Sequence, residues 1–119
     1  MESSAQSVAQ RDANLSQAIE RLWVRFLPEI KERIAVIQAA ADALAAGTPT
    51  ASRRVAAHAA AHKLAGVLGT FGLTRGTELA RELEIDFSSE DGPDPASGKK
   101  LAAVAAELRA LVESRQSST

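Results

Sequence analysis

The chain has 119 residues and a mass of 12.5 kDa, which leaves room for one small domain with a single core. It contains no cysteine, which excludes disulfide scaffolds, thiolate metal sites and cysteine nucleophiles. The net charge of -1 argues against nucleic-acid binding. No apolar run reaches the roughly 18 residues of a membrane span, and the first residues lack signal-peptide features. We therefore expect a cytoplasmic protein that binds neither nucleic acid nor membrane.

Alanine dominates the composition. The chain has 25 alanines but four aromatic residues, and alanine has the highest helix propensity of all residues. Aromatic and β-branched residues, which favour strands, are scarce by comparison. The composition therefore predicts an all-α protein.

The first part of the chain indicates a tail followed by two helical segments. Residues 1–13 contain few large apolar groups and are predicted to be a flexible tail that becomes helical near its end. From Ser16, a good N-cap, apolar spacing of three and four predicts a short first helix, either separate from or fused to the next. Pro28 predicts a new helix start or a kink, and Gly47 with Pro49 predicts the helix end.

The second part of the chain indicates three more helices. One begins at Thr50 or Ser52, continues through an alanine-rich segment and ends near Gly72. The next carries the sequence GTELARELEIDF, and a loop over residues 88–98 separates it from the last helix. Residues 114–119 are predicted to be a flexible tail.

These elements predict an antiparallel up-down four-helix bundle with a short additional N-terminal helix, because short connections make successive helices antiparallel neighbours. The bundle domain is predicted over residues 14–113.

His62 is the candidate functional residue of the alanine-rich helix. At about 100° per residue, the positions within roughly 60° of His62 are His58, Ala65, Gly66 and Gly69. The apolar stripe is predicted on the opposite side, at Ala57, Ala60, Leu64, Val67 and Phe71. Each glycine costs about 1 kcal/mol of helix propensity relative to alanine. A bare surface beside an imidazole indicates close approach by another protein.

The segment from Ala61 to Leu73, AHKLAGVLGTFGL, resembles the signature of histidine-containing phosphotransfer (HPt) domains. The residues that match are His62, Leu64, Gly66 and Gly72. The following RGTELARELE, with its Leu83-Glu84 pair, is similar to the next helix of that family. The resemblance covers about residues 15–112.

The resemblance implies a phosphocarrier of a two-component phosphorelay rather than an independent enzyme. Nε2 of His62 would accept a phosphoryl group from an aspartyl phosphate on a response-regulator receiver domain and pass it to another aspartate. The resemblance also implies a histidine kinase as a possible partner. No cofactor of its own is expected, because Mg²⁺ is supplied by the receiver domain. We expect a monomer.

One position departs from the family pattern. The frequent lysine three residues after the histidine is Ala65 here, and the nearest cation, Lys63, lies about 100° around the helix. The alternative hypothesis is therefore a non-phosphorylated interaction module that docks on a receiver domain or kinase. A structural bundle without a partner at this face is the third hypothesis.

Further predictions concern residues near His62 and aromatic residues on a flanking helix. Lys63 and Arg54 are predicted to support docking through charge, and His58 is predicted to be a solvated neighbour of His62. His58 and His62 have the i, i+4 spacing of a metal pair, but no third ligand follows, so we predict no metal site. Trp23 or Phe26 could border the docking face, and Phe26 is assigned to the core.

Overall fold

The computed structural model describes residues 2–117, with side chains described over residues 7–115. Four α-helices and one 3-10 turn make up this part of the chain: α1 (Glu2–Ala45), α2 (Ala51–Thr70), α3 (Thr74–Asp86), the turn (Pro95–Ser97) and α4 (Gly98–Ser117). Helices α1 and α3 each contact both α2 and α4. The predicted all-α bundle is confirmed.

Contacts between helix ends show that neighbouring helices are antiparallel. The start of α4 meets the end of α1, where Gly98 lies against Ala45. Near the other end of α4, Arg115 Nη2 lies 2.9 Å from Glu20 Oε1 on α1. The chain therefore runs up and down through the four helices in sequence order, as predicted.

The core is built from large aliphatic side chains and alanines. Five core alanines have no exposed surface: Ala41, Ala57, Ala61, Ala80 and Ala105. The largest buried side chains include Trp23, Ile30, Ile34, Ile37, Leu64, Leu68, Leu79, Leu83, Leu101, Leu108 and Val112. Because small side chains allow helix axes to approach closely, alanine contributes to packing as well as to helix propensity.

Helix α1 differs from its predicted organisation. The additional N-terminal helix is fused to the next one, and residues 2–13, predicted as a tail, lie within the same helix. Extending an existing helix is much easier than nucleating a new one. Pro28 has no amide hydrogen, so it cannot donate a hydrogen bond to the Val24 carbonyl. The side chains of Val24 and Pro28 are both exposed, so water can reach this carbonyl instead. The helix therefore continues through Pro28.

The last helix also extends further than predicted. Residues 114–117 belong to α4, while Met1 and residues 118–119 lie outside the described residues. The guanidinium of Arg115 lies 4.3 Å from the ring centroid of Trp23, in addition to its contact with Glu20. These contacts tie the end of α4 to α1. The domain limits at residues 14 and 113 stay a prediction.

Helix α2 has well-defined ends. The Thr50 hydroxyl accepts a hydrogen bond from the Arg53 amide at 3.1 Å, which caps the first turn. At the other end, Gly72 has φ +72° and the Leu73 amide donates to the Leu68 carbonyl at 3.0 Å. A left-handed glycine with this backbone bond is a common helix stop. The predicted boundaries at Thr50 and Gly72 are confirmed.

Gly98 provides a test of the packing between α1 and α4. A Cβ atom at Gly98 would lie 2.5 Å from the Ala45 backbone nitrogen, which is too close for any real contact. We expect Gly98→Ala to lower the free energy of unfolding by about 1–3 kcal/mol through overpacking, as measured by urea denaturation. Unchanged stability would show that the two helix ends lie further apart.

Candidate functional site

His62 projects from the middle of α2 into solvent. Its side chain is 71% exposed, as predicted from the helical wheel. The ring nitrogen Nδ1 lies 2.6 Å from Oε2 of Glu84 on α3, whose side chain is 26% exposed. One edge of the ring is therefore held against α3.

This contact determines the tautomer of a neutral His62 ring. A carboxylate oxygen is an acceptor, so the hydrogen bond with Glu84 places the proton of a neutral His62 ring on Nδ1. The lone pair is then on Nε2. Among the described residues, no protein group forms a hydrogen bond with Nε2. In the neutral ring, Nε2 is therefore the unprotonated nitrogen.

An open groove between α1 and α2 runs beside His62. From α1 it is lined by Phe26, Glu29 and Arg33. From α2 it is lined by His62, Lys63, Gly66, Val67 and Thr70. The imidazole thus lies between Glu84 of α3 on one side and this groove on the other.

Two cationic side chains border the groove. Lys63 is exposed, and Arg33 is half-buried with Nη2 3.9 Å from Glu29 Oε2. Both belong to the same concave surface as His62, together with the carboxylate of Glu29. The groove therefore combines an exposed imidazole with two cationic side chains and one carboxylate.

The two glycines of the predicted bare surface differ in their surroundings. A Cβ atom on Gly66 would meet nothing within 4 Å, so the helix surface one turn after His62 is open. A Cβ atom on Gly69 would lie 3.6 Å from Thr77 Oγ1 on α3, an ordinary contact. Gly66 is therefore the position where a partner can approach the backbone of α2 closely.

Ala65 was predicted on the docking face, but the structure buries it to 6% exposure. The predicted apolar stripe is also displaced, because Ala61 and Leu68 are buried while Val67 borders the groove. Helix α2 packs against both α1 and α3, so its buried arc is wider than one stripe and includes Ala65. The family's lysine position thus faces the bundle interior in this chain.

The two upstream residues of α2 have separate environments. His58 lies one turn before His62 and is half-buried rather than solvated. Arg54 does not reach the groove: its Nη1 donates to the Phe87 carbonyl at 3.0 Å, and its stem packs near Gly92. Arg54 therefore holds the connection after α3, and its support of docking stays a prediction.

The two aromatic residues of α1 lie at different depths. Trp23 is 1% exposed and packs edge-to-face on Phe71, with ring centroids 5.1 Å apart. Phe26, assigned to the core, is half-buried and borders the groove. The three-residue step from Trp23 to Phe26 rotates the side chain by about 60°, which is enough to move it from core to rim.

Glu84 and Arg33 were not predicted as site residues. Glu84 appeared only as part of the Leu83-Glu84 resemblance, which carries no information about contact with a histidine 22 positions away. Arg33 lies on α1, and only the alignment of α1 beside α2 brings it to the groove. Neither contact has a local sequence signal.

Among residues 2–117, no cluster of three or more His, Cys, Asp or Glu side chains suits a metal ion. In the same part of the chain, no helix combines the length and the apolar character that crossing a bilayer requires.

Comparison with known proteins agrees with this geometry. The family model described as Hpt domain matches residues 21–114, a range that contains His62, Glu84 and the groove. The chain belongs to the Hpt domain family. This Hpt domain is accordingly a phosphotransfer domain of two-component signalling.

A curated relative shares part of the sequence. Protein RcaC of Microchaete diplosiphon is 33% identical over 77 residues, which is 65% of this chain and 12% of that protein. The matched segment thus spans about an eighth of the relative's length. No solved structure matches the chain significantly.

The open space at Gly66 can be tested through stability. We expect Gly66→Ala to raise the free energy of unfolding by about 0.5–1 kcal/mol, because alanine has the higher helix propensity and its methyl group meets no neighbour. Urea denaturation measures this change, with Gly98→Ala as the variant of opposite sign. A loss of stability in Gly66→Ala would contradict an open surface at this position.

Proposed function

We propose that this Hpt domain is a phosphorelay intermediate that accepts a phosphoryl group on Nε2 of His62. The donor is an aspartyl phosphate on a response-regulator receiver domain, and the acceptor is the aspartate of another receiver. The observation that supports this most strongly is the exposed ring of His62, held through Nδ1 by Glu84 beside the open helix surface at Gly66. The domain acts as a carrier, and its partners supply the remaining chemistry.

The transfer step follows from the ring geometry. The Nε2 lone pair attacks phosphorus and forms the N–P bond while the P–O bond to the aspartyl carboxyl group breaks. The bonding electrons leave with that oxygen, which restores the aspartate carboxylate. The ring, which keeps its Nδ1 proton, becomes positively charged, and the carboxylate of Glu84 offsets this charge at 2.6 Å. The same steps in reverse return the group to an aspartate.

Charge on the phosphoryl group requires separate compensation. Lys63 and Arg33 are the cationic side chains that border the groove beside His62. They substitute for the family's lysine, whose place is taken by the buried Ala65. Mg²⁺ and further positive charge come from the receiver domain, because phosphoryl transfer depends mainly on in-line positioning and charge neutralisation.

Substituting each of the two histidines in turn identifies the residue that accepts the phosphoryl group. Incubation with a phosphorylated receiver domain and Mg²⁺ should label the wild type and His58→Gln, whereas His62→Gln should retain its helical circular dichroism and lose the label. Persistent labelling of His62→Gln would move the acceptor elsewhere. Receiver binding by the wild type without any acid-labile phosphate would identify the non-phosphorylated interaction module instead.

Glu84 is proposed as a positioning residue for His62. We expect Glu84→Ala to lower the rate of phosphoryl transfer about tenfold, consistent with the loss of one charge-assisted hydrogen bond, and Glu84→Gln to have a smaller effect because its amide oxygen can still accept the Nδ1 proton. Long-range ¹H–¹⁵N NMR should show the proton on Nδ1 in the wild type and a mixture of tautomers in Glu84→Ala. Unchanged rate and tautomer in Glu84→Ala would contradict this role.

A further inference from the structure

Arg33 of α1 and His62 of α2 lie at the same level of the groove. Arg33 is 12 residues before the end of α1 at Ala45, and His62 is 11 residues after the start of α2 at Ala51. Because neighbouring helices are antiparallel and rise 1.5 Å per residue, both residues lie about 17–18 Å from the connection between α1 and α2. Arg33 therefore lines the groove across from His62.

The ion pair between Arg33 and Glu29 is weak. Arg33 Nη2 lies 3.9 Å from Glu29 Oε2, which is too long for a hydrogen bond. Among the described residues, no other ion pair or hydrogen bond involves the Arg33 guanidinium. The side chain of Arg33 is 25% exposed and that of Glu29 is 58% exposed. Arg33 is therefore a cation mostly withdrawn from water whose hydrogen-bond donors lack a protein acceptor.

Glu29 and Arg33 occupy different levels of the groove. Glu29 is 16 residues from the end of α1, as Val67 is from the start of α2, so these two residues lie at one level. This level is about 6 Å further from the helix connection than that of Arg33. A phosphoryl group on His62 is therefore closer to the level of Arg33 than to that of Glu29.

We propose that Arg33 exchanges partners when His62 is phosphorylated, leaving Glu29 and pairing with the phosphoryl group. Glu29 competes for the same guanidinium, so it lowers the stability of phosphorylated His62 and favours return of the group to a receiver domain. This proposal rests on the proposed function. It assigns to Glu29 and Arg33 the control of how strongly His62 retains the phosphoryl group.

The exchange follows from the difference between the two anions as acceptors. A phosphoryl group carries more negative charge than a carboxylate and offers several acceptor oxygens, which the planar guanidinium can bind in pairs. The Glu29 carboxylate is the weaker acceptor here, because it is more than half exposed and its contact with Arg33 is long. Phosphorylated His62 is therefore stabilised by the difference between the two pairs, and Glu29 sets that difference.

Lys63 acts differently from Arg33. It is exposed, and no ion pair involves it among the described residues. Its ammonium group is hydrated and its attraction for a phosphoryl group is screened by salt. Lys63 therefore contributes an attraction that no carboxylate of the chain regulates.

Direct repulsion between Glu29 and the phosphoryl group is the alternative explanation for an effect of Glu29. The offset of about 6 Å along an open groove weakens this repulsion, because water and salt screen exposed charges. The two explanations differ in one respect: competition requires Arg33, whereas repulsion does not. A double-mutant cycle over Glu29 and Arg33 therefore separates them.

The test measures the equilibrium constant for phosphoryl transfer to His62 from a receiver domain with Mg²⁺, as the partition of the label between the two proteins. The probe is the phosphorylated receiver that labels the wild type fastest. The variants are Arg33→Gln, Glu29→Gln and Glu29→Gln/Arg33→Gln. Lys31→Gln is the matched control, because Lys31 is exposed and lies about 200° around α1 from Arg33. Urea denaturation checks that every variant keeps the stability of the wild type, as expected for a partly exposed pair.

We expect Arg33→Gln to lower this constant about fivefold and Glu29→Gln to raise it about threefold, while Lys31→Gln changes it less than about 1.5-fold. In the Arg33→Gln background, Glu29→Gln should change the constant less than about 1.5-fold, because nothing remains to compete for. An equal effect of Glu29→Gln in both backgrounds would overturn the inference and leave the proposed function intact. So would an unchanged constant in Arg33→Gln.

A second measurement follows Arg33 without a receiver domain. Phosphoramidate phosphorylates histidine side chains directly, and ¹H–¹⁵N NMR reports the Nε–Hε resonance of Arg33. We expect this resonance to shift downfield, as hydrogen bonding to a phosphoryl group requires, in the treated wild type but not in treated His62→Gln. The absence of a shift in phosphorylated wild type would overturn the inference. Failure of every receiver to label the wild type would overturn the proposed function and the role of Glu29 in return of the group, whatever the resonance shows.

Discussion

The hydrogen bond between Nδ1 of His62 and Oε2 of Glu84 joins the chemistry of this Hpt domain to its fold. It spans two helices, so it exists only when α2 and α3 are aligned in register. His62 and Glu84 lie at similar distances along the chain from the turn at Gly72, whose positive φ and adjacent backbone bond end α2. The position where α2 ends therefore determines that Glu84 meets the imidazole of His62. The hydrogen bond with Glu84 in turn determines which ring nitrogen is unprotonated in the neutral ring.

Small residues serve different purposes in different parts of the molecule. Fully buried alanines allow the helices to pack closely, and Gly98 allows the start of α4 to pass the end of α1. Gly66 has no packing neighbour, so its cost in helix propensity has no compensation within the chain. The absent side chain leaves an open helix surface one turn after His62, which the proposed function uses for access.

Charged side chains lie on two sides of the His62 ring. The domain holds one nitrogen in a defined tautomer, with an acidic group behind the ring and Lys63 and Arg33 along the groove. This arrangement can stabilise a positively charged ring and an anionic group next to it.

The sequence by itself determined the helical class, the ends of α2 and the exposure of His62, because propensity, capping and periodicity act over a few neighbouring residues. It also carried the HPt resemblance through the spacing of His62, Gly66 and Gly72. Only the tertiary structure decided that Glu84 meets His62, that Arg33 borders the groove, and that Ala65 is buried while Phe26 is not. These outcomes depend on the relative rotation and register of whole helices, which are set by packing between segments distant in sequence and leave no local pattern.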